Sequence, residues 1–335
     1  MDLQTLWFAA VAVLWTGFLL LEGFDFGVAA LLPVIGRRPA DRHLMLRSIG
    51  PLWDGNEVWL ITAVGAVFAA FPGWYATWLP TLYLPFVLVL FGLIIRAVAF
   101  EWRHSHSTAQ WDSTWTHVIT AGSLLASLGI GAALGATTLG LPIDADGTRV
   151  GGAFAGLSWP ALLGAVAVLG FSLVHGAVFL ALKTDGPVRL AARAFARRWS
   201  PVAALPLLLW AGLVQLRSGT TATGVLWLVA ALSVLVAWAR IRVDREGQAF
   251  AAWSVVLLGA VATIFGAAYP VVVPSTIDPA FDVTVAGASV SDYTLTVMTW
   301  AAGIGLPVVL AYQAWTYWVF RKRLTADDRT HAVTA

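Results

Sequence analysis

The stretch GPLWDGNEVWLITAVGAVFAAF, residues 50–71, joins two kinds of sequence that rarely meet. From Val58 onward it is almost wholly apolar, yet the turn before that holds Asp54, Asn56 and Glu57. Working outward, apolar blocks of about twenty residues, the length that crosses a hydrocarbon core, recur along the whole chain. The polar turn at 54–57 therefore stands at the threshold of a membrane span.

The composition agrees. The chain has 335 residues, 59% of them hydrophobic and 11% charged, with a mean hydropathy of +0.80. Soluble domains carry about a quarter charged residues. An all-α, polytopic integral membrane protein is implied. There are no cysteines, which excludes disulfides, thiolate metal sites, iron–sulfur clusters and CxxCH haem attachment. No basic segment precedes the first apolar run, so no cleaved signal peptide is expected. No GxxxxGK[ST], GxGxxG, HExxH or serine-nucleophile motif occurs, and nothing suggests nucleic-acid binding.

Nine transmembrane helices are expected, near 5–32, 55–71, 77–100, 114–140, 158–182, 200–216, 222–240, 250–272 and 294–320. They form a single membrane domain over 1–335 that ends in a short tail, 321–335. Leu141–Leu157 and Val273–Asp292, rich in Gly, Pro, Asp and Thr, read as loops. Basic residues fix the expected orientation. Arg37, Arg38, Arg42, Arg47, Arg103, Lys183, Arg189, Arg193, Arg197, Arg198, Arg240, Arg242, Arg245, Arg321, Lys322, Arg323 and Arg329 fall on one side. The other side has Arg149 and Arg217 beside several aspartates. The basic side is expected in the cytoplasm, with the N-terminus outside and the C-terminus cytoplasmic.

Arg96 belongs to neither set, because it lies within the third span. Ionisable groups inside apolar spans cost several kcal/mol unless paired or hydrated, which makes them functional candidates. Glu22 and Asp25 are three apart and share a helix face, as do Asp54 and Glu57. With Trp53, Arg96 and Glu101 they fall in the cytoplasmic half of three consecutive spans joined by short links, and can converge there. The set reads as a proton pathway open to the cytoplasm. The plainer readings are that Asp54 and Glu57 favour the positive end of their helix, that Glu101 is solvated, and that Arg96 clamps two helices. Glu22 and Asp25 have no helix start nearby, and Gly23 and Gly27 beside them suggest close helix approach.

Other residues read more simply. His175, the one histidine inside a span, reads as a helix–helix hydrogen bond rather than a haem ligand, since no second intramembrane histidine completes a pair. His43, His104, His106, His117 and His331 lie in loops or at span ends; HSH at 104–106 reads as a solvated turn. Trp74, Trp78, Trp159, Trp199 and Trp318 sit near span ends as an interfacial belt would. Trp53 and Trp59 read as packing residues. Pro270 and Pro274 mark an irregular helix end and Pro307 a kink. RLAARAFARRWS, residues 189–200, reads as a basic amphipathic helix on the inner surface.

GFDFGV at 23–28, PLWDGNEVWLITAVGAVFAAFP at 51–72, RAVAFEWR at 96–103, YPVVVPSTI at 269–277 and LTVMTWAAGIGLPVVLAYQAWTYW at 295–318 resemble subunit II of cytochrome bd-type quinol oxidases. The resemblance spans nearly the whole chain in order. It implies two four-helix bundles plus one peripheral helix in a bacterial cytoplasmic (inner) membrane. It also implies a partner, subunit I, which carries haem b and haem d and the quinol site. This chain would then be a non-haem-ligating subunit of an enzyme that oxidises quinol and reduces dioxygen to water. Some relatives hold a quinone in subunit II, so a structural quinone is an expected cofactor, with membrane lipids and small accessory subunits as further partners. Trp53, Asp54 and the acidic residues of the first span match the family's cytoplasmic proton route, and Arg96 matches its intramembrane arginine. Glu22 and Glu57 stand where some relatives have aspartate and glutamine. Two competing readings are a proton-coupled secondary transporter, whose carboxylates bind substrate, and a purely structural partner.

Overall fold

Helix α1 (Leu3–Ala30) starts where the Asp2 carboxylate accepts the Thr5 amide at 2.8 Å, a side-chain cap on otherwise free N–H groups. The computed structural model describes residues 2–106 and 108–325; the tail beyond, with Arg329 and His331, and the His104 side chain lie outside the described residues. After α1 come the single turn α2 (Leu32–Ile35) and the surface helix α3 (Pro39–Ile49). Pro39 opens α3, its fixed φ suiting the first turn, and Arg38 and Asp41 close that turn at 3.0 Å. The polar stretch at 53–57 begins α4 (Trp53–Ala70).

The third expected span is broken. It forms α5 (Pro72–Thr81) and α6 (Tyr83–Trp102), hinged at Leu82 between Pro80 and Pro85, because proline removes a helical hydrogen bond and clashes with the preceding turn. The break also turns Trp74 and Trp78 inward. Both are buried rather than interfacial, and the Trp78 indole N–H donates to the Thr137 hydroxyl at 2.5 Å. Trp159, Trp199 and Trp318 stay exposed.

Next come α7 (Ala109–Leu139), α8 (Trp159–Lys183), α9 (Gly186–Ala203) and α10 (Leu205–Ser218). The amphipathic segment at 189–200 belongs to α9, which runs almost directly into α10, so the sixth expected span begins earlier than 200. Then follow α11 (Thr221–Arg242), α12 (Glu246–Ala268), the antiparallel pair β1 (Val271–Val273) and β2 (Val283–Thr284), α13 (Val285–Ala288) and α14 (Asp292–Val319). Strand β2 lies in the expected loop 273–292, whereas β1 takes the end of the eighth expected span, 250–272, whose helix stops at Ala268. That loop is tied to the other long loop by Leu141 N–H to Pro274 O and Thr276 N–H to Leu141 O, each 2.9 Å.

Helices α1, α4, α6 and α7 make one bundle and α8, α10, α11 and α12 a second, joined where α1 and α7 pack on α8. At the α1–α8 crossing a Cβ on Gly27 would land on the Ser172 carbonyl, and one on Gly176 would meet the Gly27 backbone. Backbones touch there, as small residues allow in membranes. Helix α14 is peripheral: it leans on α1 and α4 and buries Leu295 alone among its residues. Its far end is held by Lys183, whose Nζ donates to the carbonyls of Phe320 and Lys322.

Eight helical segments are long and apolar enough to cross a membrane, with α9 and α10 counted as one. Helix α4, at the second expected span, is not among them; Asp54, Asn56 and Glu57 dilute its apolar character.

Candidate functional site

Three helices bring the intramembrane charges together. Arg96 projects from α6 between α1 and α4, and its Nη1 pairs with Glu22 Oε1; Glu57 Oε2 stands 3.8 Å from the same nitrogen. Arg96, Glu22 and Asp25 are completely buried, whereas the Glu57 side chain is 19% exposed. Aromatic rings surround the guanidinium: Phe26 at 5.0 Å, Phe100 at 5.4 Å and Trp53 at 5.7 Å from its central carbon. Cation–π attraction adds to the ion pair in so dry a setting.

Asn56 is the hub that the sequence reading passed over. It is fully buried, and its amide donates to Asp25 Oδ2 at 2.7 Å. Its carbonyl oxygen accepts from Tyr317 Oη at 2.8 Å and Gln313 Nε2 at 3.1 Å, both on α14. A continuous chain of polar contacts therefore runs Asp25–Asn56–Tyr317, from the first bundle to the peripheral helix. The one sequence signal was a polar pair four apart, Gln313 and Tyr317, inside an otherwise apolar run.

The remaining expected residues lie around this core. Trp53 stacks on Phe100, ring centres 5.0 Å apart and planes 13° from parallel. Both rings line a cleft of ≈ 530 Å³ together with Glu101, Arg47 and Arg103. The cleft opens at the basic end of the molecule, and the Trp53–Phe100 stack separates it from Arg96. Glu101 is exposed there. Asp54 is exposed too and points away from the cluster, on the face of α4 that also shows Val58, Ile61 and Phe68. No side chain caps the start of α4, so capping does not account for Asp54.

Beyond the Arg96–Glu22 ion pair, several buried polar atoms here have no hydrogen-bond partner among the described residues: Glu22 Oε2, Asp25 Oδ1, Arg96 Nε and Nη2, and the hydroxyls of Ser123 and Ser172. Buried polar groups are ordinarily satisfied by protein or water, so the cluster has capacity for water-mediated contacts.

Residues 3–320 match the family of cytochrome bd terminal oxidase subunit II. The chain belongs to that family. It is 38% identical over 332 residues to the cytochrome bd ubiquinol oxidase subunit 2 of Bacillus subtilis (strain 168), covering 98% of each chain. It is 33% identical over 376 residues to the cytochrome bd-I ubiquinol oxidase subunit 2 of Escherichia coli (strain K12), covering 99% of this chain and 98% of the other. Its fold matches a chain of the bd oxidase of Geobacillus thermodenitrificans with a TM-score of 0.79 at 17% identity, over 96% of this chain and 99% of that one. This bd oxidase subunit II is therefore a multi-pass bacterial membrane protein. It is part of a quinol:oxygen oxidoreductase complex that contains haem and a subunit I.

His175 donates its Nε2 hydrogen to the Leu20 carbonyl at 3.0 Å, joining α8 to α1. Its ring is stacked on Phe250 at 4.6 Å, with Phe171 at 4.9 Å. Among the described residues no group of three His, Asp or Glu side chains could hold a metal ion.

Proposed function

We propose that this subunit scaffolds subunit I and supplies it with protons from the cytoplasm for the reduction of dioxygen. The carrying observation is the buried Glu22–Arg96–Glu57 and Asp25–Asn56 cluster, reached from a cleft at the basic end and continued to Tyr317 on α14. Protons enter at Glu101, pass the Trp53–Phe100 stack, and reach the carboxylates, which exchange them with water. Arg96 keeps net charge in the cluster low enough to be buried, because an isolated carboxylate there would be prohibitively costly. Asp54, on an open apolar face of α4 beside α14, is the hand-off group to subunit I.

The basic ends of the helices support the orientation with the N-terminus outside and the C-terminus cytoplasmic in the inner membrane, and α4 makes the ninth span. Haem b, haem d and the quinol site belong to subunit I, consistent with the engaged state of His175. Consuming protons from one side while quinol releases its own on the other builds a membrane potential without a pump. The apolar cavity lined by Trp15, Trp74, Trp78, Phe171 and Trp210 has a volume of ≈ 40 Å³, too small for the ring of a quinone. Lipids cover the apolar flanks, and small accessory subunits complete the complex.

The test is proton uptake by the purified oxidase in proteoliposomes, carrying Asp54→Asn or Glu22→Gln. Both variants should lower oxygen-linked uptake at least tenfold while the haem spectrum shows an assembled complex. Wild-type rates in both would overturn the proposal.

A further inference from the structure

The arginines at the basic end fall into two electrostatic groups. Arg189 bonds Glu246 at 2.7 Å and lies 3.5 Å from Asp185; Arg193 pairs with Asp244, and Arg323 is 3.6 Å from Glu246. These charges are internally balanced. One turn further along α9, and opposite it on α11, Arg197, Arg198 and Arg242 have no carboxylate partner among the described residues.

These three line one cleft with Ala194 and Trp238, of volume ≈ 450 Å³, within the range of about 300–1,000 Å³ for sites that hold a small molecule. The cleft is braced from both sides. The Trp238 indole N–H donates to the Arg197 carbonyl at 3.2 Å, fixing α11 to α9. Arg242 lies over the Trp238 ring at 4.6 Å and Arg198 over the Trp199 ring at 5.3 Å. Tryptophans at this depth mark the headgroup level of a bilayer. Towards the membrane the walls of α11 are exposed and apolar at Leu228, Leu232, Leu235 and Val236.

We infer that this cleft is a binding site for an anionic phospholipid. The phosphate lies among Arg197, Arg198 and Arg242, and the acyl chains lie along the exposed face of α11. Guanidinium groups suit phosphate because their planar fork donates two parallel hydrogen bonds. A basic pocket between membrane helices beside an apolar wall selects a lipid over a free anion, since the anion uses only the polar half of the site. The site lies in the second bundle, away from α4 and α14, and is independent of the proton pathway.

The test is native mass spectrometry of the intact detergent-purified oxidase titrated with cardiolipin, dioleoylphosphatidylglycerol, dioleoylphosphatidylcholine or inorganic phosphate. Wild-type complex should retain the two anionic lipids in preference to the choline lipid. R198Q with R242Q should weaken that binding about thirtyfold, taking about 1 kcal/mol per arginine. R198K with R242K should keep most of it. R37Q with R321Q, which removes the same charge from exposed arginines elsewhere, should leave it within twofold. An assembled complex with an unchanged haem spectrum excludes misfolding. Equal retention of choline and anionic lipids, equal loss in the two glutamine pairs, or arginine-dependent binding of phosphate without lipid would each overturn the assignment.

Discussion

Asn56 serves four partners at once, Asp25, the Leu21 carbonyl, Gln313 and Tyr317, and its replacement exposes how the cluster is held. Asn56→Leu strands the fully buried Asp25, at about 1–3 kcal/mol for a buried group left unpaired, and frees the half-buried Gln313 and Tyr317 at lower cost. The thermal midpoint of the purified oxidase should fall accordingly, whereas Val58→Leu on the open face should leave it unchanged. Arg96→Leu leaves Glu22 unpaired in a fully buried site, at up to about 3–5 kcal/mol. Adding Glu22→Leu should recover part of that loss, because it removes the stranded carboxyl group; a double variant no more stable than Arg96→Leu would refute the ion pair as the main contact. Glu22, Asp25 and Arg96 were legible in the sequence because charge is conspicuous in an apolar run. Asn56, Gln313 and Tyr317 were not, since neutral polar residues are common in spans and the partners are 257 and 261 positions apart. Only the third dimension joins them.

Among the elements, the first turn of α3 is closed by Arg38 and Asp41, and the segment after α14 is tied to the end of α8 by Lys183, Arg323 and Leu324. The Asp41 carboxyl is held below its ordinary value of 3.8, chiefly by its hydrogen bond from Arg38. A depressed pKa in the folded state gives stability that is complete above the ordinary value and lost as the pH falls through the depressed one. Hydrogen-exchange protection of α3, corrected for intrinsic rates, should therefore drop below about pH 4. Asp41→Asn should flatten that dependence. At the other end, Lys183→Met frees the carbonyls of Phe320 and Lys322, and limited proteolysis should then cut near residue 320 several times faster than in wild type. Most of the membrane-spanning helices followed from apolar run length, but the surface helix α3 did not. The break at Leu82 and the inward turn of Trp74 and Trp78 did not, because a proline near a span end reads equally as a terminus or a hinge. The docking of the two long loops depends on backbone pairing between Leu141 and residues 274–276, which leaves no compositional trace.

For the whole molecule, the side of the first bundle that carries α4 and α14 is markedly apolar and open: Ile61 is 71% exposed and Ile304 72%. Subunit I is expected to cover it. The chain has no cysteines, so single substitutions can be read cleanly. Ile304→Cys should cross-link to subunit I with a short bifunctional thiol–amine reagent, and Leu228→Cys on α11 should not. The membrane class and the approximate places of the spans could be read from hydropathy, whereas the division into bundles depends on glycines whose role appears only when two backbones meet. The contact of Gly27 with Ser172 and Gly176 has a mechanical corollary. A joint made of main chain has no rotamers to switch and no side-chain knobs to slip past one another, so the two halves behave as one stiff plate. Alternating access requires halves that rock, which this joint resists. The proposed proton route asks for no such rocking: an indole swinging aside or a carboxyl group turning would be enough.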